Sequence, residues 1–160
     1  MDCYATHIPM LATVVLMSEG PMLELGAGYY STYMLHEISK VQNRPLFTLE
    51  EKPDFIKEFE KFRTHLHSVQ LVNEWKHCPI LDKFHWGMVL VDHAPGERRK
   101  FDIKRLADRA DYLVVHDSEE GGYDYETVLP DFKYRFDYKV VRPWTTVVSN
   151  RYPLGCLNEL

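Results

Sequence analysis

Five short apolar runs, each closing on polar residues and each parted from the next by a helix-length stretch, constrain this chain most. They are Met22–Leu25, Pro45–Leu49, His67–Val72, Gly87–Val91 and Tyr112–Val115. Continuous apolar runs such as GMVLV suit strands covered on both faces, as in parallel sheets. Between them, Ser31–Lys40 carries Met34, Leu35 and Ile38 at helical spacing, and Pro53 opens a stretch with Phe55, Ile56, Phe59 and Phe62 on one face. Residues 97–109 form a charged helix with Phe101, Ile103 and Leu106 apolar, and residues 5–18 predict a further, buried helix stopped by Gly20-Pro21. Strands at 136–141 and 145–149, split by Arg142-Pro143-Trp144, read as a closing hairpin. This alternation predicts an α/β chain with a doubly wound, mostly parallel sheet and an antiparallel C-terminal hairpin, as a single domain over residues 1–160.

In such sheets ligands sit outside the carboxyl ends of the strands. The residues there are Glu24 to Gly28, Glu50, Asn73-Glu74-Trp75, Asp92-His93 and His116-Asp117. Gly26-Ala27-Gly28 demands a tight turn and permits a ligand to approach the backbone, and the helix that follows has an N-terminus that favours an anion. Glu50 lies about twenty residues further on, at the end of the next strand, where an acid can accept hydrogen bonds from ribose hydroxyls. The loop continues Tyr29-Tyr30-Ser31, so the third glycine of a dinucleotide fingerprint is a serine, and no phosphate-binding P-loop is present.

The net charge of −5 argues against a broad nucleic-acid surface. The basic run Arg98, Arg99, Lys100, Lys104 and Arg105 reads either as a solvated helix face or as a seat for an anionic group. Cys3, Cys78 and Cys156 are widely spaced and suggest neither disulfides nor a zinc knuckle, so reduced thiols in a cytoplasmic protein are expected. The apolar stretch Ile8–Met17 is too short to span a bilayer, so no membrane partner is expected.

Leu23-Glu24-Leu25-Gly26-Ala27-Gly28 resembles the first motif of the class I, Rossmann-like, S-adenosylmethionine (SAM)-dependent methyltransferases. Thr48-Leu49-Glu50-Glu51-Lys52-Pro53 resembles their second, and the terminal hairpin is similar as well. The resemblance implies that Glu24, Gly26 and Gly28, with Ala27, Tyr29 and Ser31 of the same loop, line the methionine part of SAM. It implies that Glu50, beside Glu51, holds the ribose, and that Glu74 and Trp75 lie near the adenine. Val89-Leu90-Val91-Asp92-His93 and Val114-Val115-His116-Asp117 resemble two metal-bearing strand ends of catechol-type O-methyltransferases, which implies Mg2+ on Asp92 and Asp117. Ser118 replaces the amide ligand of that subgroup, and no lysine follows His93 closely. Without metal, Asp92 or His93 is the candidate base, with Asp92, His93 and Asp117 as the catalytic set.

The expected activity is methyl transfer from SAM to a small molecule, through a hydroxyl, with a homodimer as a possible assembly. Two alternatives stay open: a SAM-binding sensor without catalysis, and a nicotinamide-dependent oxidoreductase.

Overall fold

The computed structural model describes residues 3–159 and contains seven strands. They are β1 (Met22–Leu25), β2 (Leu46–Glu50), β3 (His67–Leu71), β4 (Trp86–Val91), β5 (Ala110–His116), β6 (Tyr134–Tyr138) and β7 (Thr145–Ser149). They form one sheet in the order β3-β2-β1-β4-β5-β7-β6. The first five run parallel to one another, whereas β7 pairs antiparallel with both β5 and β6. The chain order therefore switches direction between β1 and β4, and the crevice outside their carboxyl ends is where an open α/β sheet binds its ligand.

Side chains of successive strand residues point to opposite faces, and this alternation assigns every polar strand end to a layer. Met22, Leu46, Met88, Leu90, Val114 and Val147 pack on one face against Met10, Leu11, Val14 and Val15 of α1 (Ile8–Met17) and Leu35 of α2 (Ser31–Gln42). Leu23, Leu25, Leu49, Val89, Val91, Leu113, Val115 and Val148 pack on the other against Ile103 and Leu106 of α4 (Arg99–Leu106). The buried spacing in α1, two adjacent residues repeated four later, is that of a helix with one stripe in the core. Its last turn is closed from outside: Arg44 donates to the carbonyls of Val15, Ser18 and Gly20 at 2.8–3.0 Å. Val15 is among the last-turn carbonyls that a helix terminus leaves without partners, and Ser18 and Gly20 belong to the turn that leads out of it.

Two expectations need correction. The phenylalanine-bearing stretch is not one helix; α3 covers only Pro53–Ile56, and Lys57–Phe62 winds as 3-10. Phe59 and Phe62 still reach the core, where they meet Ile56 and Val69, because 3-10 spacing of three preserves that face. The first hairpin strand also lies earlier than read, with β6 at Tyr134–Tyr138 rather than 136–141, whereas β7 has the limits read from the sequence. Among the described residues no helix is long and apolar enough to cross a membrane.

Candidate functional site

A cleft of about 670 Å3 opens at the carboxyl ends of β1, β2, β4 and β5. Its size lies within the range of small-molecule and cofactor sites. One wall is the glycine turn with Ala27, Gly28, Tyr29 and Ser31, continued by Glu50, Lys52 and Phe55. The opposite wall is Asp92, Arg99, His116 and Asp117, with His7 from the start of α1. A second hollow, along the outer edge of β3 beside Arg63 and His67, lies away from the strand tips.

Gly26 has φ +91°, and a Cβ there would stand 2.6 Å from the Asp92 carbonyl oxygen. The turn thus presses the end of β1 against the end of β4. Glu50 is turned toward this turn. One carboxylate oxygen accepts from Ala27 N–H at 3.1 Å, and the other accepts from Glu51 N–H and Lys52 N–H, both at 2.9 Å. An ionised carboxylate has about four acceptor positions, so three backbone bonds leave capacity for a ligand hydroxyl.

Glu24 is fully buried and lies beneath the loop, outside the cleft lining. Gly28 N–H donates to Thr32 Oγ1 at 2.9 Å, and that hydroxyl donates to Glu24 Oε2 at 2.9 Å. Thr48 Oγ1 donates to the same oxygen at 2.6 Å. Since Thr48 spends its proton there, His67 Nε2, 2.9 Å away, is the donor to Thr48, and His36 Nδ1–H donates to His67 Nδ1 at 3.0 Å. Burial raises the Glu24 pKa to about 7, a rise that the hydroxyls of Ser31, Thr48 and Thr32 partly oppose. A raised carboxyl pKa means the folded state holds a proton that the unfolded chain releases. Stability is therefore greatest below pH 4.5 and falls as the pH rises toward 7, by on the order of 3 kcal/mol in all. Glu24→Gln keeps the acceptor oxygen and removes the titration. Urea denaturation at pH 5, 6, 7 and 8 is expected to show the wild type losing ground to this variant until pH 7; a constant difference would place the proton elsewhere.

On the opposite wall, Arg99 is buried and bridges two carboxylates, with its guanidinium 3.1 Å from Asp92 Oδ1 and 3.1 Å from Asp117 Oδ2. It also donates to the His93 carbonyl at 2.6 Å and lies over the Tyr123 ring. Burial disfavours charge on Asp92, but His116 and Arg99 outweigh it and hold the Asp92 pKa below the usual carboxylate range. Burial likewise opposes charge on His116, and Asp92 and Asp117 overcome it, raising the His116 pKa. His7 stacks edge-on to His116 with centroids 4.6 Å apart, and burial together with His116 lowers its pKa to about 4. At neutral pH His7 is an uncharged imidazole.

Several expected site residues lie elsewhere. His93 is one residue beyond Asp92, so it faces the α4 layer; it pairs with Asp102 at 3.1 Å, which Arg98 also grips. It is 1% exposed and does not line the cleft. Trp75 is a core residue, with its indole N–H shared between Glu51 and the Ala94 carbonyl at 3.0 and 2.9 Å. Glu51 is thus occupied in holding Trp75. Glu74 is exposed and pairs with His77. Gly26 shapes the turn without lining the cleft. The pair Asp92 and Asp117 does not fit the expected Mg2+, because the Arg99 guanidinium already supplies the cation between them. In the basic run only Arg99 reaches the cleft; Arg98, Lys100 and Arg105 pair with Asp102, Asp124 and Asp82. His7, Arg99 and His116 gain weight from the structure. The sequence signal for His116 was its place at the polar end of the fifth apolar run, beside Asp117.

No family model matches this chain, and no curated protein matches it. Solved structures do. A precorrin-6y C5,15-methyltransferase from Geobacter metallireducens GS-15 aligns with a TM-score of 0.60 and 15% identity, over 88% of this chain and 86% of its own. MtNAS in complex with S-adenosylmethionine aligns at 0.54 and 15% identity, over 92% of this chain and 62% of its own. MtNAS in complex with MTA and tNA aligns at 0.54 and 16%, over 94% and 61%. This chain therefore spans about three-fifths of the MtNAS structures. At these identities the likeness is one of fold: a Rossmann-like, mostly parallel sheet with an antiparallel C-terminal part.

Proposed function

We propose that the cleft binds SAM and that the protein transfers the methyl group of SAM to a small molecule. The observation that carries this reading is Glu50, whose carboxylate is drawn by Ala27 N–H to the glycine turn and lines the cleft beside it. A ribose held there places the sulfonium beyond Gly28 and Ser31, with the rings of Tyr29 and Phe55 flanking the nucleoside side. Aromatic faces attract a sulfonium cation. The solved structures of the same architecture include one described as a methyltransferase and one in complex with SAM, which supports the same cofactor here.

The polar wall across the cleft handles the acceptor. We assign its reacting group as a hydroxyl, with Asp92 and the uncharged His7 imidazole as the groups that accept its proton. Asp117, pinned by Arg99, positions Asp92 through the shared guanidinium. Methyl transfer from a sulfonium needs no covalent enzyme intermediate; holding the nucleophile in line behind the methyl carbon supplies much of the rate.

Calorimetric titration of SAM and its demethylated product tests the cofactor. Glu50→Gln preserves size and one acceptor oxygen and is expected to weaken SAM binding about tenfold or more, the cost of losing charge-assisted hydrogen bonds. Wild-type affinity in the folded variant would remove the ribose from Glu50. The sulfonium carries three carbon substituents, so the coproduct of SAM turnover with a metabolite panel identifies the bond that breaks. The demethylated product supports methyl transfer, and methylthioadenosine would replace it with transfer of the amino-acid arm.

A further inference from the structure

We propose that His7, Asp92 and His116 form a binding site for a single divalent transition-metal ion of the zinc class on the wall of the cleft. One ligand atom from each lies within 4.8 Å of the other two. His116 Nδ1 stands 3.2 Å from Asp92 Oδ1, yet the contact lacks the angle of a hydrogen bond. Two atoms bound at about 2.1 Å to one four-coordinate ion are separated by roughly that spacing. His7 is 2% exposed, and among the described residues neither of its ring nitrogens has a hydrogen-bond partner. A buried imidazole left unsatisfied is costly, and coordination would satisfy it.

The layer assignment explains why the three meet. Asp92 and His116 leave adjacent parallel strands on the α1 face, and His7 enters from the first turn of α1. Beyond the ligands, His116 Nε2 faces Thr6 Oγ1 at 2.9 Å, so an ion on Nδ1 would leave Nε2–H to donate to that hydroxyl. Metal-bound histidines characteristically donate their second N–H in this way. With both imidazoles neutral, as coordination requires, Asp92 and Asp117 against Arg99 leave one net negative charge on this wall, which favours a cation. Two imidazoles and one carboxylate select a borderline ion such as Zn2+ over Mg2+, and three protein ligands leave a coordination position for a water or an acceptor oxygen. This set shares Asp92 Oδ1 with the aspartate pair that Arg99 bridges; it differs in replacing Asp117 by the two imidazoles of His7 and His116. With the ion bound, Asp92 and His7 would hold it rather than accept a proton directly, and the ion would supply Lewis acidity to an acceptor oxygen.

The inference stands apart from the cofactor reading, since metal binding is measured without SAM and SAM binding without metal. The full chain, stripped with a chelator and titrated with Co2+, is expected to bind one equivalent with the visible bands of a four-coordinate nitrogen–oxygen site, displaced by Zn2+. His7→Gln and His116→Gln, each checked for folding by circular dichroism, are expected to weaken binding at least tenfold. X-ray absorption at the zinc edge of the wild type is expected to show two imidazoles and oxygen near 2.0–2.1 Å with no sulfur. Absence of stoichiometric binding, undiminished binding in folded His7→Gln, or a sulfur ligand would each overturn the site. Should a variant fail to fold, the wild-type absorption spectrum decides alone.

Discussion

Alanine at Gly87, Gly26 and Gly28 is expected to give three different outcomes in urea denaturation. Gly87, the second residue of β4, donates to the Pro21 carbonyl at 2.8 Å, and a Cβ there would lie 1.6 Å from the Glu19 carbonyl oxygen. Backbone on both sides cannot yield without peeling the α1–β1 turn off β4, so Gly87→Ala should lose about 4 kcal/mol or more, the range of exceptional substitutions. Gly26→Ala combines a strained positive φ, costing about 1–3 kcal/mol, with a 2.6 Å approach to the Asp92 carbonyl oxygen, and should lose about 3 kcal/mol. At Gly28 the new Cβ would meet only the Ser31 hydroxyl, at 2.8 Å, and a hydroxyl can rotate away. Gly28→Ala should stay within about 1 kcal/mol of the wild type. Gly28 borders the cleft, however, so Gly28→Val should spare the fold and block SAM. Equal losses at all three positions would show that the turn is not pressed against β4 as described.

Removal of the Arg99 side chain has the next largest expected effect. Arg99→Ala leaves Asp92 and Asp117 facing each other without their shared cation. Stripping one partner from a buried ion pair costs about 3–5 kcal/mol; with both carboxylates about a quarter exposed to the cleft, the lower end, about 3 kcal/mol, is expected at neutral pH. The direction with pH follows from Asp92. Its depressed pKa contributes stability above the unfolded value of 3.8 that is lost as the pH falls through the folded one. Wild type and variant should therefore converge in acid. Millimolar Mg2+ should restore part of the variant's stability by taking the vacated cationic position, and leave the wild type unmoved. A wild type stabilised equally by Mg2+ would mean that the guanidinium does not stand in for a metal.

The sheet was legible because its strands are apolar on both faces and end in abrupt polar pairs; the limits of β1 and β7 match the read ones. The site was less so, because a strand end determines two directions at once. Asp92 and His93 are adjacent in sequence, yet one opens on the cleft and the other on Asp102 beneath α4. At β5 the parity is the same: His116, like Asp92, takes the cleft side, but Asp117 reaches the cleft as well because its φ of 54° breaks the strand alternation. Trp75 and Glu74 were placed on a strand end, but β3 stops at Leu71 and the chain turns into a 3-10 segment that takes the indole inward. His7 gave no sequence signal beyond its place ahead of α1, since nothing local reveals which strand ends that helix will overhang.

The position of β7 bears on how the protein is made. Synthesis delivers β5 long before its neighbour, because residues 145–149 are the last strand and insert between β5 and β6. Until they emerge from the ribosome, β5 presents the backbone of Leu113 to His116 as an open edge of apolar strand, a template for pairing with another nascent chain. A translational pause after β5 has emerged and before Thr145 to Ser149 have left the ribosome would thus be the hazardous moment for aggregation.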